Sequence, residues 1–463
     1  MPDVLLSYPS CAHQASTLTC DEQAKGLLYD PASQVTNILH QLTATSAQIN
    51  QAGYAYNPVG NWTSLTDRRG AQAFGYDTLD RLTSASHPLL ATPQAFAYDP
   101  VGNRTTGGSV VNAGNQLTAD ATHSYQYDDN GNLTRKTLLA TGNFSQYTYD
   151  AENRLTKVEE FAAGNPTAFA TSTYRYDGLG RRIEKVANGQ TKRYLYDSED
   201  ILLEYDGANV LQTRYTHGPG LDEPIAVTKG GSTFFYHQDG LGTVTDLTDS
   251  AGATAKSYSY DAYGKVFDQA GTVEQPYTYT GREFDSESGL MYYRARYYDP
   301  RTGRFLQKDP MRFVNGINLY AYTMNNPANF ADALGLWRNP SDIYDDAMKR
   351  AQNSPFPGQH NGLQDAYRHC LASCMLTREN SEFEAQILGW ANEKWGDWFH
   401  NQEEGEREAD ESNNACGSWF GQTANSTQDC ERSCGKATRN GTLQTYQQGA
   451  TPRYWDTRLS WLP

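Results

Sequence analysis

The sequence predicts a mainly β protein, in which stacked β-hairpins form a spiralling sheet, followed by a small α-helical C-terminal domain. One observation is a tyrosine-rich repeat whose aligned tyrosines recur every 20 to 29 residues between Tyr56 and Tyr196. A second is a change of composition near Leu336. Of the 32 tyrosines, 28 precede residue 337, whereas 7 of 8 tryptophans and 5 of 7 cysteines follow residue 336. The third is the spacing of apolar residues in the tail, which recurs with the period of an α-helix.

Each repeat has the pattern of one β-hairpin, as in YQYDDNGNLTRK from Tyr125 and YTYDAENRLTKV from Tyr147. Tyr-x-Tyr-Asp alternates like a half-buried strand, and Asn-Gly or a related pair supplies a turn that needs positive φ. A single hairpin cannot bury its aromatic face, but stacked copies can. We therefore expect a spiralling sheet with inward-facing tyrosines over residues 51–280, preceded by a degenerate repeat or N-terminal segment over residues 1–50.

Charge limits the functional classes. The 463-residue chain has a formal net charge of −16, and residues 337–463 hold 12 Lys or Arg against 18 Asp or Glu, a net of −6. An acidic surface repels phosphate backbones, so general nucleic-acid binding is not expected. The chain carries no run of about 18 apolar residues and no pattern of a signal peptide at its start. We expect export, if it occurs, to use another route.

The segment YRARYYDPRTGRFLQKDP and its continuation to Leu336 resembles the core motif that ends the shell of RHS/YD-repeat proteins. The resemblance implies an interbacterial toxin in which the repeats wind into a hollow, cocoon-like shell. This shell, ending in a core motif at residues 281–336, would enclose an interchangeable toxin domain at residues 337–463. Members of the family are usually longer, which favours a truncated or orphan unit. An ordinary β-propeller or solenoid is the alternative for the repeats.

The same resemblance implies self-cleavage after Leu336 by two shell aspartates, Asp309 and Asp332. Ala333 stands where the family usually has proline. Two carboxylates held close together do not both ionise cheaply, so one would keep a proton while the other activates water. Alternatively, both aspartates are turn residues. The arginines of this motif are expected to pair with carboxylates and plug the shell; they are Arg294, Arg296, Arg301 and Arg304.

The tail predicts several helices, and Asp365 and His369 share a face of one of them because they are four residues apart. With Arg368, Glu393, Asp410 and Asn414 they form a candidate site. His369 would be a base oriented by Asp365, or His369, Asp365 and Asp410 would bind a divalent metal that activates water. The pattern resembles an uncharacterised helical domain of polymorphic toxins and implies a toxin role; it is carried by Asp365, Ala366, Arg368, His369, Glu393, Asp410, Asn413, Asn414 and Gly417. An ordinary surface network is the alternative.

Cysteine spacing adds a second feature of the tail. Cys370 and Cys374 lie four apart, as do Cys430 and Cys434, so two helices could be joined by two disulfides with Cys416 left over. Four thiolates could instead bind zinc, or the cysteines could stay reduced in the core. Disulfides require an oxidising compartment. They would place the working toxin domain in the periplasm or outside the cell.

We therefore expect a secreted or delivered toxin whose released domain is a hydrolase acting at the cell envelope. A membrane-permeabilising toxin without enzymatic activity, a nuclease or other cytoplasmic enzyme, and an inert passenger are the alternatives; the tail's tryptophans fit either a membrane interface or a small core. The expected partners are a cognate immunity protein, a secretion apparatus or adaptor, and a component of the target-cell envelope.

Overall fold

Antiparallel β-sheets and three α-helices make up the described part of this computed structural model. The structure describes residues 8–14, 17–30, 34–43, 45–218, 221–311, 316–336, 340–356, 363–379, 413–414, 416–418, 420–421, 424, 427–440 and 442–443. The chain divides into two compact units, residues 1–337 and 338–463. The expectation of a mainly β protein with a helical C-terminal part is confirmed.

The β-strands of the first unit form three meanders, in which each strand pairs with the next along the chain. The first sheet holds β1 Tyr8–Gln14, β2 Thr17–Tyr29, β3 Val35–Leu42, β4 Gln48–Tyr56, β5 Trp62–Asp67, β6 Gly70–Tyr76, β7 Leu82–Ser86 and β8 Gln94–Ala95. The second sheet holds β9 Val110–Val111, β10 Leu117–Ala119, β11 His123–Tyr127, β12 Leu133–Leu138, β13 Phe144–Tyr149, β14 Leu155–Phe161, β15 Ala170–Tyr176, β16 Arg182–Ala187, β17 Gln190–Asp197, β18 Asp200–Asp206, β19 Leu211–His217, β20 Pro224–Lys229, β21 Ser232–Gln238, β22 Val244–Thr248, β23 Thr254–Tyr260 and β24 Val266–Gly271. The third sheet holds β25 Glu283–Asp285, β26 Leu290–Tyr293, β27 Arg296–Asp299 and β28 Arg304–Phe305.

The hairpin of β13 and β14 illustrates how the repeat sequence folds. Its turn is organised by Asp150, whose Oδ1 accepts hydrogen bonds of 2.9 Å from the main-chain N–H groups of Glu152 and Arg154. Asn153 takes the left-handed conformation with a φ of 61°, which asparagine tolerates better than most residues. Arg154 Nε then donates to Asp150 Oδ2 at 2.7 Å. The aspartate and the turn residue of the repeat are therefore local folding signals.

The tyrosines of the repeat have two different positions. The first tyrosine of the Tyr-x-Tyr pair is buried at Tyr125, Tyr147 and Tyr174 and partly buried at Tyr194, as expected for the covered face of the sheet. The second tyrosine forms a hydrogen bond to the preceding hairpin. Tyr149 Oη, for example, donates to the main-chain oxygen of Leu133 at 2.8 Å. The same bond recurs from Tyr56 to Val35, Tyr76 to Trp62, Tyr98 to Leu82, Tyr176 to Leu155, Tyr196 to Arg182 and Tyr260 to Val244. Successive hairpins are thus tied to each other.

The third sheet is buried on both faces, because alternate residues of a strand point to opposite sides. On β26, Leu290 and Tyr292 belong to one apolar cluster with Leu155 and other residues of the second sheet. Met291 and Tyr293 belong to another cluster, with Tyr298, Phe305 and Tyr322. This two-sided burial fixes the segment that leads to Leu336 within the first unit.

The second unit contains α1 Pro340–Gln352, α2 Leu363–Glu379 and α3 Thr427–Arg439, each within a segment predicted to be helical. The helix predicted at residues 382–401 lies outside the described residues. Two disulfides join α2 to α3, Cys370–Cys434 and Cys374–Cys430, and the Cys416 thiol is free. The predicted disulfides are therefore present, and these four thiols are not zinc ligands here. None of the described helices is long and apolar enough to span a membrane.

Candidate functional site

Two buried aspartates and one arginine meet where the core motif ends. Asp309 is 6% exposed and Asp332 is fully buried. Arg296, the first residue of β27, lies between them: its Nη2 is 3.1 Å from Asp309 Oδ2 and 3.3 Å from Asp332 Oδ2. The two aspartates predicted for self-cleavage are therefore brought to one site, although they are 23 residues apart in the sequence.

The same three side chains hold the end of the core motif. Asp332 Oδ1 accepts a hydrogen bond of 2.9 Å from the main-chain N–H of Leu336. Arg296 Nε donates to the main-chain oxygen of Gly335 at 2.6 Å. Gly335 has a φ of 68°, and a β-carbon built on it would lie 2.3 Å from the main-chain oxygen of Tyr293. Only glycine fits this close approach, so the sequence Gly335-Leu336 is presented in a fixed position.

Arg296 changes the electrostatics expected of the carboxylate pair. The sequence predicts two carboxylates that share one proton, without a cation between them. Burial lowers the pKa of the Arg296 guanidinium, and the charges of Asp309 and Asp332 oppose this effect. A guanidinium in contact with both carboxylates reduces their mutual repulsion and fixes their orientation. The signal for Arg296 was present in the sequence, as one of four arginines alternating with tyrosines.

The other arginines of the motif have different partners. Arg294 Nη2 pairs with Asp222 Oδ1 at 2.9 Å, and Arg301 Nη1 pairs with Asp120 Oδ2 at 3.0 Å, as expected. Arg304 has no carboxylate partner among the described residues, so the expectation is wrong there. Its guanidinium donates to Asn103 Oδ1 at 3.1 Å and to the main-chain oxygen of Asn115.

Ala333, where the family usually has proline, contributes through its main chain. Its carbonyl oxygen accepts a hydrogen bond from Arg294 Nη1. The main-chain N–H of Ala295 donates to the oxygen of the next residue, Leu334, at 3.2 Å. These bonds use main-chain atoms, so the path of the chain to Leu336 is secured without the proline ring.

The helical unit contains a second candidate site on α2. His369 is 2% exposed and its Nδ1 lies 3.3 Å from Asn414 Oδ1. Because this amide oxygen only accepts, Nδ1 carries the proton and Nε2 carries the lone pair. Ser373 Oγ donates to the same Asn414 oxygen at 3.2 Å. The predicted association of His369 with Asp365 and Asn414 is present in the described residues.

Arg368 occupies the position between His369 and Asp365. Its Nη2 contacts His369 Nε2 and lies 2.6 Å from Asp365 Oδ1, while His369 Nε2 is 3.8 Å from that oxygen. A guanidinium in contact with both groups does not fit a divalent metal bound by His369 and Asp365, because the two cations would repel each other. Within the described residues, no group of three or more His, Cys, Asp or Glu side chains could hold a metal ion. Glu393 and Asp410, predicted for this site, lie outside the described residues.

Close packing fixes α2 on two sides. Disulfides fasten it to α3 at Cys370 and Cys374. The same two residues are approached by Gly417 and Gly421: built β-carbons there would lie 2.2 Å from the Cys370 oxygen and 2.6 Å from the Cys374 oxygen. The main chain that carries Asn414 therefore comes close enough to α2 to reach His369.

Comparison with known proteins identifies the first unit. Residues 17–328 match the model of the Teneurin YD-shell family. The chain is 37% identical over 282 residues to the tRNA3(Ser)-specific nuclease WapA of Bacillus spizizenii, covering 57% of this chain and 12% of that protein. It is 30% identical over 323 residues to the double-stranded DNA deaminase toxin A of Burkholderia cenocepacia, covering 61% of this chain and 22% of that protein. The chain thus spans about an eighth of the length of the first relative and about a fifth of the length of the second.

A likeness to solved structures agrees with the fold. The TcdB2-TccC3-Cdc42 crystal structure matches with a TM-score of 0.50 and 19% sequence identity, covering 71% of this chain and 19% of that one. The structure of TcdB2-TccC3 without its hypervariable C-terminal region matches with a TM-score of 0.50 at 20% identity and with the same coverage. Removal of that region leaves the coverage unchanged, so the likeness does not depend on it.

Proposed function

Because this chain belongs to the Teneurin YD-shell family, we propose that it is the shell and C-terminal effector of a bacterial toxin. We propose further that Asp309 and Asp332 hydrolyse the peptide bond between Leu336 and Trp337 and so release the effector. The observation that carries this proposal is the contact of Arg296 with both carboxylates, combined with the hydrogen bond from Leu336 to Asp332.

The proposed reaction is ordinary peptide hydrolysis. One carboxylate removes a proton from a water molecule, whose oxygen bonds to the carbonyl carbon of Leu336. The carbon–nitrogen bond then breaks, and the leaving amine of Trp337 receives a proton, so that a carboxyl and an amino terminus are formed. Arg296 positions the carboxylates and, through the Gly335 oxygen, the chain. Fixed geometry of this kind supplies a large share of the rate of such reactions.

The test is the fate of the chain in variants Asp309→Asn and Asp332→Asn. Asparagine keeps the shape of the side chain but can neither take up nor supply the proton. We expect the parent chain to appear on a denaturing gel as two fragments, with Trp337 as a new N-terminus in mass spectrometry, and both variants to stay intact. Asp239→Asn is the matched control, because that aspartate accepts main-chain bonds in a turn far along the chain from the junction. Continued cutting in the Asp309 and Asp332 variants would refute the assignment.

For the effector we propose a hydrolase in which His369 is the base. Asn414 orients its ring through Nδ1, and Arg368, which is held by Asp365, must leave Nε2 before that nitrogen takes up a proton. The expected target was the cell envelope. The names of the relatives favour a nucleic-acid target instead, since they include tRNA nucleases, a DNA deaminase toxin and probable deoxyribonucleases. The disulfides favour the envelope alternative, because they form in oxidising compartments. A toxin of this kind requires an immunity protein in the producing cell and a route of delivery.

Growth of bacteria producing the full chain, with and without an added export signal, distinguishes these targets. For a nuclease we expect killing without export, together with degraded tRNA or DNA and full survival of cells producing His369→Ala. Killing that requires export would place the target in the envelope. Toxicity that survives His369→Ala would refute the hydrolase and support a membrane-permeabilising protein. His123→Ala, a change in the shell, is the matched control.

A further inference from the structure

A cavity of about 330 Å³ opens on the helical unit, between the end of α1, the start of α2 and the last turns of α3. It does not belong to the His369 site. Tyr367, which lines it, is two residues from His369, and two residues correspond to about 200° around a helix. The cavity is therefore on the opposite face of α2. Its volume lies at the lower end of the range of about 300–1,000 Å³ found for small-ligand sites.

One wall of this cavity is aromatic. Phe356 and Tyr367 both line it, with ring centroids 5.1 Å apart. The floor is Gly435 of α3, where a built β-carbon would come no closer than 3.7 Å to Arg439 and 3.9 Å to Tyr367. Space for a planar group beside the aromatic wall thus depends on the missing side chain at position 435.

The opposite wall has a net positive charge, because Arg350 and Arg439 line it together with the single carboxylate of Glu431. Arg350 Nη1 pairs with Glu431 Oε1 at 2.7 Å, but among the described residues no carboxylate pairs with Arg439. Ser354, a third lining residue, has a buried hydroxyl without a hydrogen-bond partner within the described part of the chain. A cavity that combines an unneutralised guanidinium with an unsatisfied hydroxyl is suited to an anion with hydrogen-bonding oxygens.

The charges have a simpler explanation, which accounts for only part of the site. Arg350 and Arg439 lie in the last turns of α1 and α3, where cations are favoured by the helix dipole. That effect does not explain why a glycine forms the floor or why a buried hydroxyl lacks a partner. The C-terminal part also has a net charge of −6 over residues 337–463, so the cationic wall is a local exception on an acidic unit.

We propose that this cavity binds a single nucleotide unit, with its planar ring packed against the aromatic wall of Phe356 and Tyr367 and its phosphate on Arg439. Stacking on aromatic side chains and a guanidinium contact to phosphate are the usual means of holding such a group. The acidic surroundings disfavour a long duplex. A free nucleotide and the end of a single strand present the same chemistry. The inference is independent of the reaction at His369 and of self-cleavage.

The test is calorimetric titration of the full chain, carrying Asp309→Asn, with AMP, adenosine, inorganic phosphate and a 5′-phosphorylated trinucleotide. We expect AMP to bind at least tenfold more tightly than adenosine or phosphate alone. Binding of the trinucleotide tighter than that of AMP identifies a strand end as the ligand, and weaker binding identifies a free nucleotide. Phosphate bound as tightly as AMP, or no saturation with AMP at millimolar concentration, overturns the proposal.

Variants of α3 locate the binding. Arg439→Gln should weaken the binding of AMP at least tenfold. Arg432→Gln is the same change at an exposed position of α3 that pairs with Asp429, and it should change AMP binding by less than twofold. Gly435→Leu should abolish binding by filling the floor. Gly435→Ala should preserve the fold, since its β-carbon meets only ordinary contacts, and should change AMP binding no more than threefold. Equal AMP binding by the Arg439 and Arg432 variants overturns the proposal even if Gly435→Leu fails to fold.

Discussion

Asp332 accepts a hydrogen bond of 2.9 Å from the main-chain N–H of Leu336, four residues further along the chain. One of the two carboxylates proposed for self-cleavage is thereby attached to the residue whose carbonyl is to be attacked. The other carboxylate, Asp309, contacts the same guanidinium of Arg296 that contacts Asp332. The position of the arginine should therefore control the rate of cutting.

Arg296→Lys tests this control. Lysine keeps the charge but cannot contact Asp309, Asp332 and the Gly335 oxygen at once, because it is a point charge without the planar fork of arginine. Misplacement of reacting groups by about 1 Å costs on the order of 10²-fold in rate. We expect cleavage to slow by about that factor in a pulse-chase of newly made chain. Arg301→Lys, at a partly exposed ion pair with Asp120, should cut at the parent rate.

Gly335→Ala tests the close approach at the junction. The new β-carbon would lie 2.3 Å from the Tyr293 oxygen, at a φ of 68°. We expect the chain to be displaced and cleavage to be lost. Gly289→Ala is a matched control, because Gly289 has a φ of 69° and nothing within 4 Å of the added atom. Both variants carry the conformational cost of about 1 kcal/mol for alanine at positive φ, so only the contact differs. Equal cleavage by the two variants would contradict this account.

The disulfides should stabilise the helical unit measurably. Replacing Cys374 and Cys430 by serine removes a link between residues 56 apart. We expect the unfolding free energy of this unit to fall by about 2–4 kcal/mol, chiefly because the unfolded chain gains freedom. Denaturant unfolding of the Asp309→Asn chain, with a reductant added in a parallel series, measures the change. Cys416→Ser should have little effect, since Cys416 is the free thiol of the unit.

His237 predicts a pH dependence for the shell. It is 2% exposed, its Nε2 lies 2.8 Å from Thr248 Oγ1 and its ring is 4.8 Å from that of His40. Burial lowers the pKa of His237 well below its ordinary value, and His40 adds to the effect. In the unfolded chain this histidine takes up a proton at about pH 6.5, whereas in the folded chain it does not. The free energy of unfolding therefore keeps its full value above that pH and falls below it.

The slope from this one proton is at most about 1.4 kcal/mol per pH unit. The measurement is the thermal midpoint of the shell at pH 7.5 and pH 5, compared with the His237→Gln variant. We expect the thermal midpoint of the parent to fall more between pH 7.5 and pH 5 than that of the variant, because the variant has no proton to take up at this position. Identical losses would exclude His237 as a source of the dependence.

The repeats could be predicted from the sequence because their signals are local. Asp150 and Asn153 define a turn within a few residues, and the Tyr-x-Tyr alternation defines the face of a strand. The bond from Tyr149 to Leu133 and the partners of Arg304 could not be predicted, since they depend on which segments the folded chain brings together.

The candidate sites divide in the same way. Asp309 and Asp332 were identified through the resemblance of their motif, and Asp365 with His369 through helical spacing. The position of Arg296 between the aspartates, and of Arg368 between Asp365 and His369, depends on side-chain packing that spacing does not specify. Both arginines belong to the motifs seen in the sequence, but their contacts with these side chains are defined only in the folded chain.

The tie from each second tyrosine to the preceding hairpin has a mechanical consequence. Because such bonds join neighbouring hairpins, as from Tyr149 to Leu133, the shell should unfold one hairpin at a time when it is pulled from its first strand. With repeats of 20 to 29 residues, each rupture would release about 70–100 Å of extended chain. A force–extension trace of the protein should accordingly show a regular sawtooth, with peaks lowered wherever one of these tyrosines is replaced by phenylalanine.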